Sequence, residues 1–343
     1  MNREYNDKMS DLRFTDEQKR EMTDRLMTAQ SKGRVCRPLP RLAAVGVAAA
    51  LVLSIGAGAA VVYNKLASES FAGVFGTAHT EIVDKIGRPV GASATDNGVT
   101  VTADAIIGDK YSYAITYTIT KDDGTTFDLQ GNEYGYLPVR FEKQDTDIRY
   151  QGGMHGSSFF IDENPSDNEI QFVEMRTADQ ALKAGTAKAS FENLYFDSGE
   201  ESYLLAEGKW NFRFDFDFED TSVGLPAGQI LDLKDMRATV DEVTLSPIGI
   251  QVNYTVDSAV EWEDAPSGRE SAYNSAQSKR YFEDVKIVLT KTDGSMLDLS
   301  NLGGGMEPKN GKTYCQKGGL FDEIIPLNEV ASLTIGGIEI PLS

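Results

Sequence analysis

Asn211–Glu219 reads NFRFDFDFE, with Phe212, Phe214, Phe216 and Phe218 alternating with Arg213, Asp215, Asp217 and Glu219. Successive side chains of a β-strand point to opposite faces. This period of two therefore predicts a strand with four phenyl rings on a core and its charges in water. The same reading extends outward in both directions. After the turn signal Asp96, Asn97, Gly98, the residues Val99, Val101 and Ala103 alternate with Thr100, Thr102 and Asp104, a half-buried strand. Tyr111–Thr120, YSYAITYTIT, is β-branched and aromatic nearly throughout, and Asp123–Gly124 marks a hairpin into TTFDL. The chain closes with SLTI, the turn Gly336–Gly337, and IEIPL. Helix is expected in this part only locally, around Ala178–Lys183.

The second half repeats the first. LTKTDGSMLDL (Leu289–Leu299) answers ITKDDGTTFDL (Ile119–Leu129), and GIQVNYTV (Gly249–Val256) answers YSYAITYTI. The two spacings disagree, 137 for Tyr254 against Tyr117 and 170 for Leu299 against Leu129. An insertion is therefore expected in the polar stretch Glu261–Lys279. Short strands, frequent turns and antiparallel alternation predict two immunoglobulin-like β-sandwich modules, residues 81–225 and 226–343. The fold class is thus mainly β.

What precedes the modules is different in kind. Leu42–Tyr63, LAAVGVAAALVLSIGAGAAVVY, carries no charge. At ~1.5 Å per residue it reaches about 33 Å, enough for a ~30 Å hydrocarbon core. Lys32, Arg34, Arg37 and Arg41 stand before it, and only Lys65 and Glu69 follow closely. That asymmetry predicts one transmembrane helix with the N-terminus cytoplasmic and the C-terminus extracytoplasmic. The segment of 41 residues before the span is too long for the basic start of a signal peptide, although Ala57, Gly58, Ala59 offers a small-residue cleavage site. Residues 64–80, including FAGVFG, read as a linker.

The leader 1–41 contains one predicted helix, FTDEQKREMTDRLMTAQ (Phe14–Gln30). Thr15 and Gln18 form a capping-box pattern, and Asp16 and Glu17 suit the positive end of the helix dipole. Met22, Leu26 and Met27 make an apolar stripe too narrow for a core of its own. They are the candidate partner-binding residues of an amphipathic helix.

Charge and chemistry narrow the rest. The chain carries −20, yet its first 41 residues hold ten Lys/Arg against seven Asp/Glu, leaving −23 beyond them. A surface of that sign repels nucleic acid. Cys36 and Cys315, the two cysteines, fall on opposite sides of the predicted membrane, so no disulfide is expected. Gly303–Gly305 lacks nucleotide-binding spacing, and His79 and His155 sit in no metal or triad pattern. FENLYF (Phe191–Phe196) reads as strand core. The acidic face of Asp215 and Asp217 invites a calcium reading, but a flat strand does not converge six oxygens, so it reads as a water-facing side. No cofactor, metal or catalytic residue is expected, and the protein does not read as an enzyme.

Leader, anchor and strands together resemble a family of bacterial single-pass membrane proteins that carry the domain of unknown function numbered 4179. Members are described as anti-sigma-factor-like. The matching stretches are LRFTDEQKREMTDRLM (Leu12–Met27), the basic-flanked span, FAGVFG (Phe71–Gly76), TDNGVTVTADAIIGDKYSYAITYTI (Thr95–Ile119) and EGKWNFRFDFDF (Glu207–Phe218). The resemblance implies a cell-membrane regulator whose ectodomain senses an envelope ligand or protein and whose cytoplasmic helix holds a sigma factor. The His/Cys zinc motif of better-known anti-sigma factors is missing from residues 1–41, and no ligand residue carries over. The alternative is an envelope adhesion module without signalling output.

Overall fold

The computed structural model describes residues 66–148, 152–264 and 270–342, all within one compact unit, Val52–Ser343. The predicted span 42–63 and the leader, with Met22, Leu26 and Met27, lie outside the described residues. Among the described residues no helix is long and apolar enough to cross a membrane.

The described chain is mainly β, in four antiparallel sheets. The first eight strands are β1 (Arg88–Asp96), β2 (Val99–Gly108), β3 (Ser112–Lys121), β4 (Val139–Asp147), β5 (Met154–Ile161), β6 (Glu169–Ala178), β7 (Gly185–Asp197) and β8 (Ser202–Phe216). They form a sheet in the order β1-β2-β3-β6-β5 and a second in the order β4-β7-β8. One core lies between the two. Phe212, Phe214 and Phe216 enter it from β8 as the alternation predicts, while Asp215 and Arg213 stay in water. Phe218 follows the strand and lies against Gly108, where a Cβ would come within 2.6 Å of its ring. The centre is aromatic: Tyr117 meets Phe191 edge-on at 5.0 Å, and Phe141 meets Phe172 edge-on at 5.5 Å. Trp210, fully buried, donates its indole N–H to Val99 O at 2.9 Å, so its one polar atom is satisfied.

The remaining strands are β9 (Val223–Leu225), β10 (Ile230–Leu233), β11 (Met236–Ser246), β12 (Gly249–Val256), β13 (Ile287–Lys291), β14 (Met296–Asp298), β15 (Gly304–Lys309), β16 (Lys312–Leu320), β17 (Val330–Ile335) and β18 (Ile338–Pro341). Here the orders are β10-β11-β12-β16-β15, with β9 also on β11, and β14-β13-β17-β18. These enclose a separate core that includes Tyr254, Tyr281 and Leu333. The second pair of sheets repeats the order of the first, with β9 and β14 as additions that have no counterpart there. β2 and β11 even carry a bulge at the same place, between Ala103 and Ala105 and between Val240 and Glu242. At each bulge an aspartate turns to a threonine of the next strand. Thr118 donates to Asp104 at 2.7 Å, and Thr255 to Asp241 at 2.6 Å. Every one of these pairs keeps the spacing of 137.

The competing spacing of 170 matches segments that differ in structure. LTKTDGSMLDL is the β13–β14 hairpin, whereas ITKDDGTTFDL is the end of β3 and the loop after it. The expected hairpin at Asp123–Gly124 does not form, because no strand follows until Val139. Asp123 instead accepts from Thr125 N–H and hydroxyl at 2.9 and 2.7 Å, an aspartate turn that ends the strand without returning it. The extra length of the second half does lie between β12 and β13. It contains α4 (Ala272–Ser278) and a π-helical turn, Lys279–Glu283. No helix forms at Ala178–Lys183; Ala178 ends β6 and Leu182 bonds to Lys110 O, so the segment is held open across the sheet.

Residues 66–76 are not an extended linker. They form α1 (Ala67–Ser70) and α2 (Ala72–Phe75), followed by α3 (Thr80–Ile86). Ala67, Phe71, Phe75, Val83 and Ile86 are buried with Ala105, Ile107 and Ala114 on the outer face of β2 and β3. Ile248 and Ile324 of the second sheet pair join the same cluster. The bulge at Asp104 explains how β2 serves both sides: it moves Ala105 and Ile107 onto the outer face while Ile106 stays in the core.

Candidate binding surface

The eight-stranded sandwich has two ends of opposite character. At one end the β2–β3 turn meets its own repeat counterpart, the β11–β12 turn. Asp109, 7% exposed, accepts Tyr111 N–H at 2.9 Å, Ser112 N–H at 2.7 Å and the Ser246 hydroxyl at 2.5 Å. Burial pushes its carboxyl above the usual range, while the three donors pull the other way. Beside it Lys110 bonds Glu242 at 2.8 Å and Tyr111 donates to the same carboxylate at 3.1 Å. The Lys110 bond holds the Glu242 carboxyl below its ordinary range. His155 Nε2 lies 3.0 Å from Gly318 O, and Gln316 donates to Asp179 O at 2.7 Å. This end is therefore closed.

The other end is open. It is built from the β1–β2 turn and the loops β3–β4, β5–β6 and β7–β8. They are tied together by Asn168 donating to Lys121 O at 2.6 Å, by Asp122 N–H to Gly98 O at 2.9 Å and by Asp197 N–H to Pro138 O at 2.8 Å. The β3–β4 loop carries GNEYGY (Gly131–Tyr136) on an internally bonded frame. Asn132 Oδ1 accepts from Tyr134 N–H at 2.9 Å and Tyr136 N–H at 3.0 Å, and Asn132 N–H donates to Tyr136 O at 2.8 Å. Gly135 supplies a φ of 80° there. The product is a shaped loop that presents two rings: Tyr134 is 72% exposed and Tyr136 is 42% exposed. Tyr136 also leans on Phe159 of β5 at 4.7 Å. A shallow cleft of about 470 Å³ opens at the same end, among Asn97, Gly98, Lys121, Asp123 and Glu207.

The residues singled out in the sequence are scattered. Asp215 is exposed and accepts Thr186 hydroxyl at 2.6 Å, and Asp217 is exposed beyond the strand. Among the described residues no group of three or more His, Cys, Asp and Glu is arranged to hold a metal ion. His79 stands 3.8 Å from Glu81 and 3.9 Å from Glu329. Cys315 is buried, with burial pushing its thiol up to about 12. Phe191 and Leu194 of FENLYF are core residues of β7.

Two buried charges had no sequence signal, and their positions correspond. Glu174 of β6 faces Ile115, and Lys317 of β16 faces Val252, the repeat counterpart of Ile115. Burial raises the Glu174 carboxyl, which accepts Tyr113 and Thr146 hydroxyls at 3.1 Å each. Burial lowers the Lys317 ammonium to about 8. Its Nζ donates to Phe282 O at 3.1 Å and Val285 O at 2.9 Å, capping the carbonyls at the end of the π-helical turn. A cavity of about 630 Å³ beside it runs past Gly303, Gly304 and Gly305. The lysine serves the inserted helix and is spent on those carbonyls.

Comparison with known proteins gives a family match over part of the chain. The domain of unknown function DUF4179 matches residues 41–121, from the basic edge of the apolar run through α1–α3 to the end of β3. No curated protein matches the chain. A crystal structure described as that of the conserved domain protein from Bacillus anthracis is similar over 73% of this chain and 77% of that one, at 15% identity and a TM-score of 0.47.

Proposed function

We propose that this is a membrane-anchored regulatory protein of anti-sigma-factor-like type, with two immunoglobulin-like modules outside the cell. In this reading residues 42–63 cross the cell membrane, residues 1–41 are cytoplasmic, and Met22, Leu26 and Met27 form the face that holds a sigma factor. The strand orders support the module type: leaving out β1, β2-β3-β6-β5 over β4-β7-β8 has the ABED and CFG arrangement of an immunoglobulin constant domain. No catalytic or cofactor role is assigned.

One observation carries the signalling part. The helix α1 begins four residues after Tyr63, and its buried side chains share a cluster with both sheet pairs. Any shift of one pair against the other therefore bears on the chain that leads to the span. An anchor that merely tethered an adhesin would need no such packing. The test is at the far end. Burying Met22, Leu26 and Met27 would gain ~1.5–3 kcal/mol per side chain, enough to order a marginal helix. Wild-type leader should capture a cytoplasmic sigma factor from solubilised membranes, and Leu26→Asp should not, while both insert equally. Equal capture by both leaders, or by neither, would favour the adhesion reading.

A further inference from the structure

We propose that the Tyr134–Tyr136 loop at the open end of the first sandwich is a docking site for a cationic peptide segment, rich in Arg or Lys, from a partner outside this chain. Three observations support it. First, the two rings are exposed on a backbone already fixed by Asn132, so little ordering is required when a partner arrives. Loops that offer Tyr, Asn and Gly on a rigid sandwich make broad contacts at low entropic cost. GNEYGY lies in the loop joining the second and third strands of the ABED/CFG order, one of the binding loops of immunoglobulin variable domains.

Second, charge selects the partner. The loop segments 122–138, 162–168 and 198–201 hold nine Asp and Glu and no Lys or Arg, and Lys121 at their edge is already engaged with Thr126 O at 2.8 Å and the Phe127 ring, so the rim is strongly acidic. An anionic glycan, lipid or nucleic acid is repelled from that rim, and a cation is drawn to it. Third, the chain places its own cations over other aromatic rings, two of them at this same end: Lys110 over Tyr111 at 4.9 Å, Lys121 over Phe127 at 4.6 Å and Arg140 over Tyr195 at 4.9 Å. Among the described residues no Lys or Arg lies over Tyr134 or Tyr136. The Tyr134 ring, and the side of Tyr136 turned away from Phe159, are left for a guanidinium or ammonium from outside, held by the ring quadrupole and the surrounding carboxylates.

The test uses the full chain in nanodiscs of uncharged lipid, with octa-arginine as the probe and octa-glutamate as the control, in about 0.15 M salt. Wild type should bind octa-arginine and ignore octa-glutamate. Tyr134→Ala with Tyr136→Ala should weaken binding about tenfold, whereas Asp215→Asn with Asp217→Asn, an exposed acidic pair away from the loop, should change it less than about twofold. Tyr134→Ala alone removes only an exposed ring and keeps the test valid if the double variant misfolds; it should weaken binding about threefold. Absence of wild-type binding overturns the proposal. So does unchanged affinity in the tyrosine variants, which would reduce the effect to bulk charge. Neither result bears on the leader, whose capture of a sigma factor is measured separately.

Discussion

Asp109 is the strongest single test of how the two sheet pairs are joined. Asp109→Ala would leave Tyr111 N–H, Ser112 N–H and the Ser246 hydroxyl without their shared acceptor. At roughly 1–1.5 kcal/mol for each lost bond, the fragment 66–343 should lose about 3–5 kcal/mol in urea denaturation. Of the three bonds to Asp109 only that of Ser246 crosses between the sheet pairs, so a double-mutant cycle with Ser246→Ala isolates its crossing contribution. A buried bond of this kind should give a coupling of about 1–1.5 kcal/mol. Asp109→Asn separates charge from geometry, because its Oδ1 keeps both N–H donors and its amide can donate to Ser246. The folded carboxyl titrates above its unfolded value of ~3.9 because burial disfavours the charge. Stability from this group is then complete below the unfolded value and declines as pH rises through the folded one. Asp109→Asn, uncharged throughout, should gain on wild type across that window and hold its lead above it. Additivity of the two alanine variants within about 0.5 kcal/mol, or an advantage for asparagine that grows toward acid, would refute the reasoning.

Other outcomes follow from the same contacts. Phe191→Ala empties a site touching Tyr117, Phe141 and Phe172, and should cost about 3–5 kcal/mol by denaturation. Trp210→Phe keeps most of the volume but leaves Val99 O short of its indole donor, for a loss of about 1–2 kcal/mol. In a Cys36→Ser background, Cys315 should stay unreactive to a thiol reagent at pH 8 until urea unfolds the chain, since burial holds its thiol near 12; prompt labelling of the native protein would count against that burial. Calcium at about 1 mM should shift the melting temperature by less than ~1 °C, because no converging carboxylates are present among the described residues.

Alternation and turn residues made several strands legible in the sequence. The alternation of NFRFDFDFE holds as far as Phe216, where β8 ends, because a period of two follows from the pleat itself; the unbroken β-branched and aromatic run YSYAITYTIT supplies β3, and the turn Gly336–Gly337 joins the closing hairpin. The repeat of GIQVNYTV on YSYAITYTI was also readable, since equivalent strands need equivalent core faces. Its companion, the pairing of the two Asp-Gly turns, misled because such turns report local backbone chemistry and not position in a sheet. Only the tertiary structure decided the rest. FAGVFG became buried helix because two sheet pairs offered it a shared apolar surface, a contact that its short pattern could not announce. Asp109, Glu174 and Lys317 look like any other charges in a chain of −20. Their burial depends on partners brought from as far as 137 residues away, and pairing over such distances is a property of the packed molecule alone. The same holds for Tyr134 and Tyr136, which read as ordinary loop residues until Asn132 and the surrounding loops fix them outward at one open end.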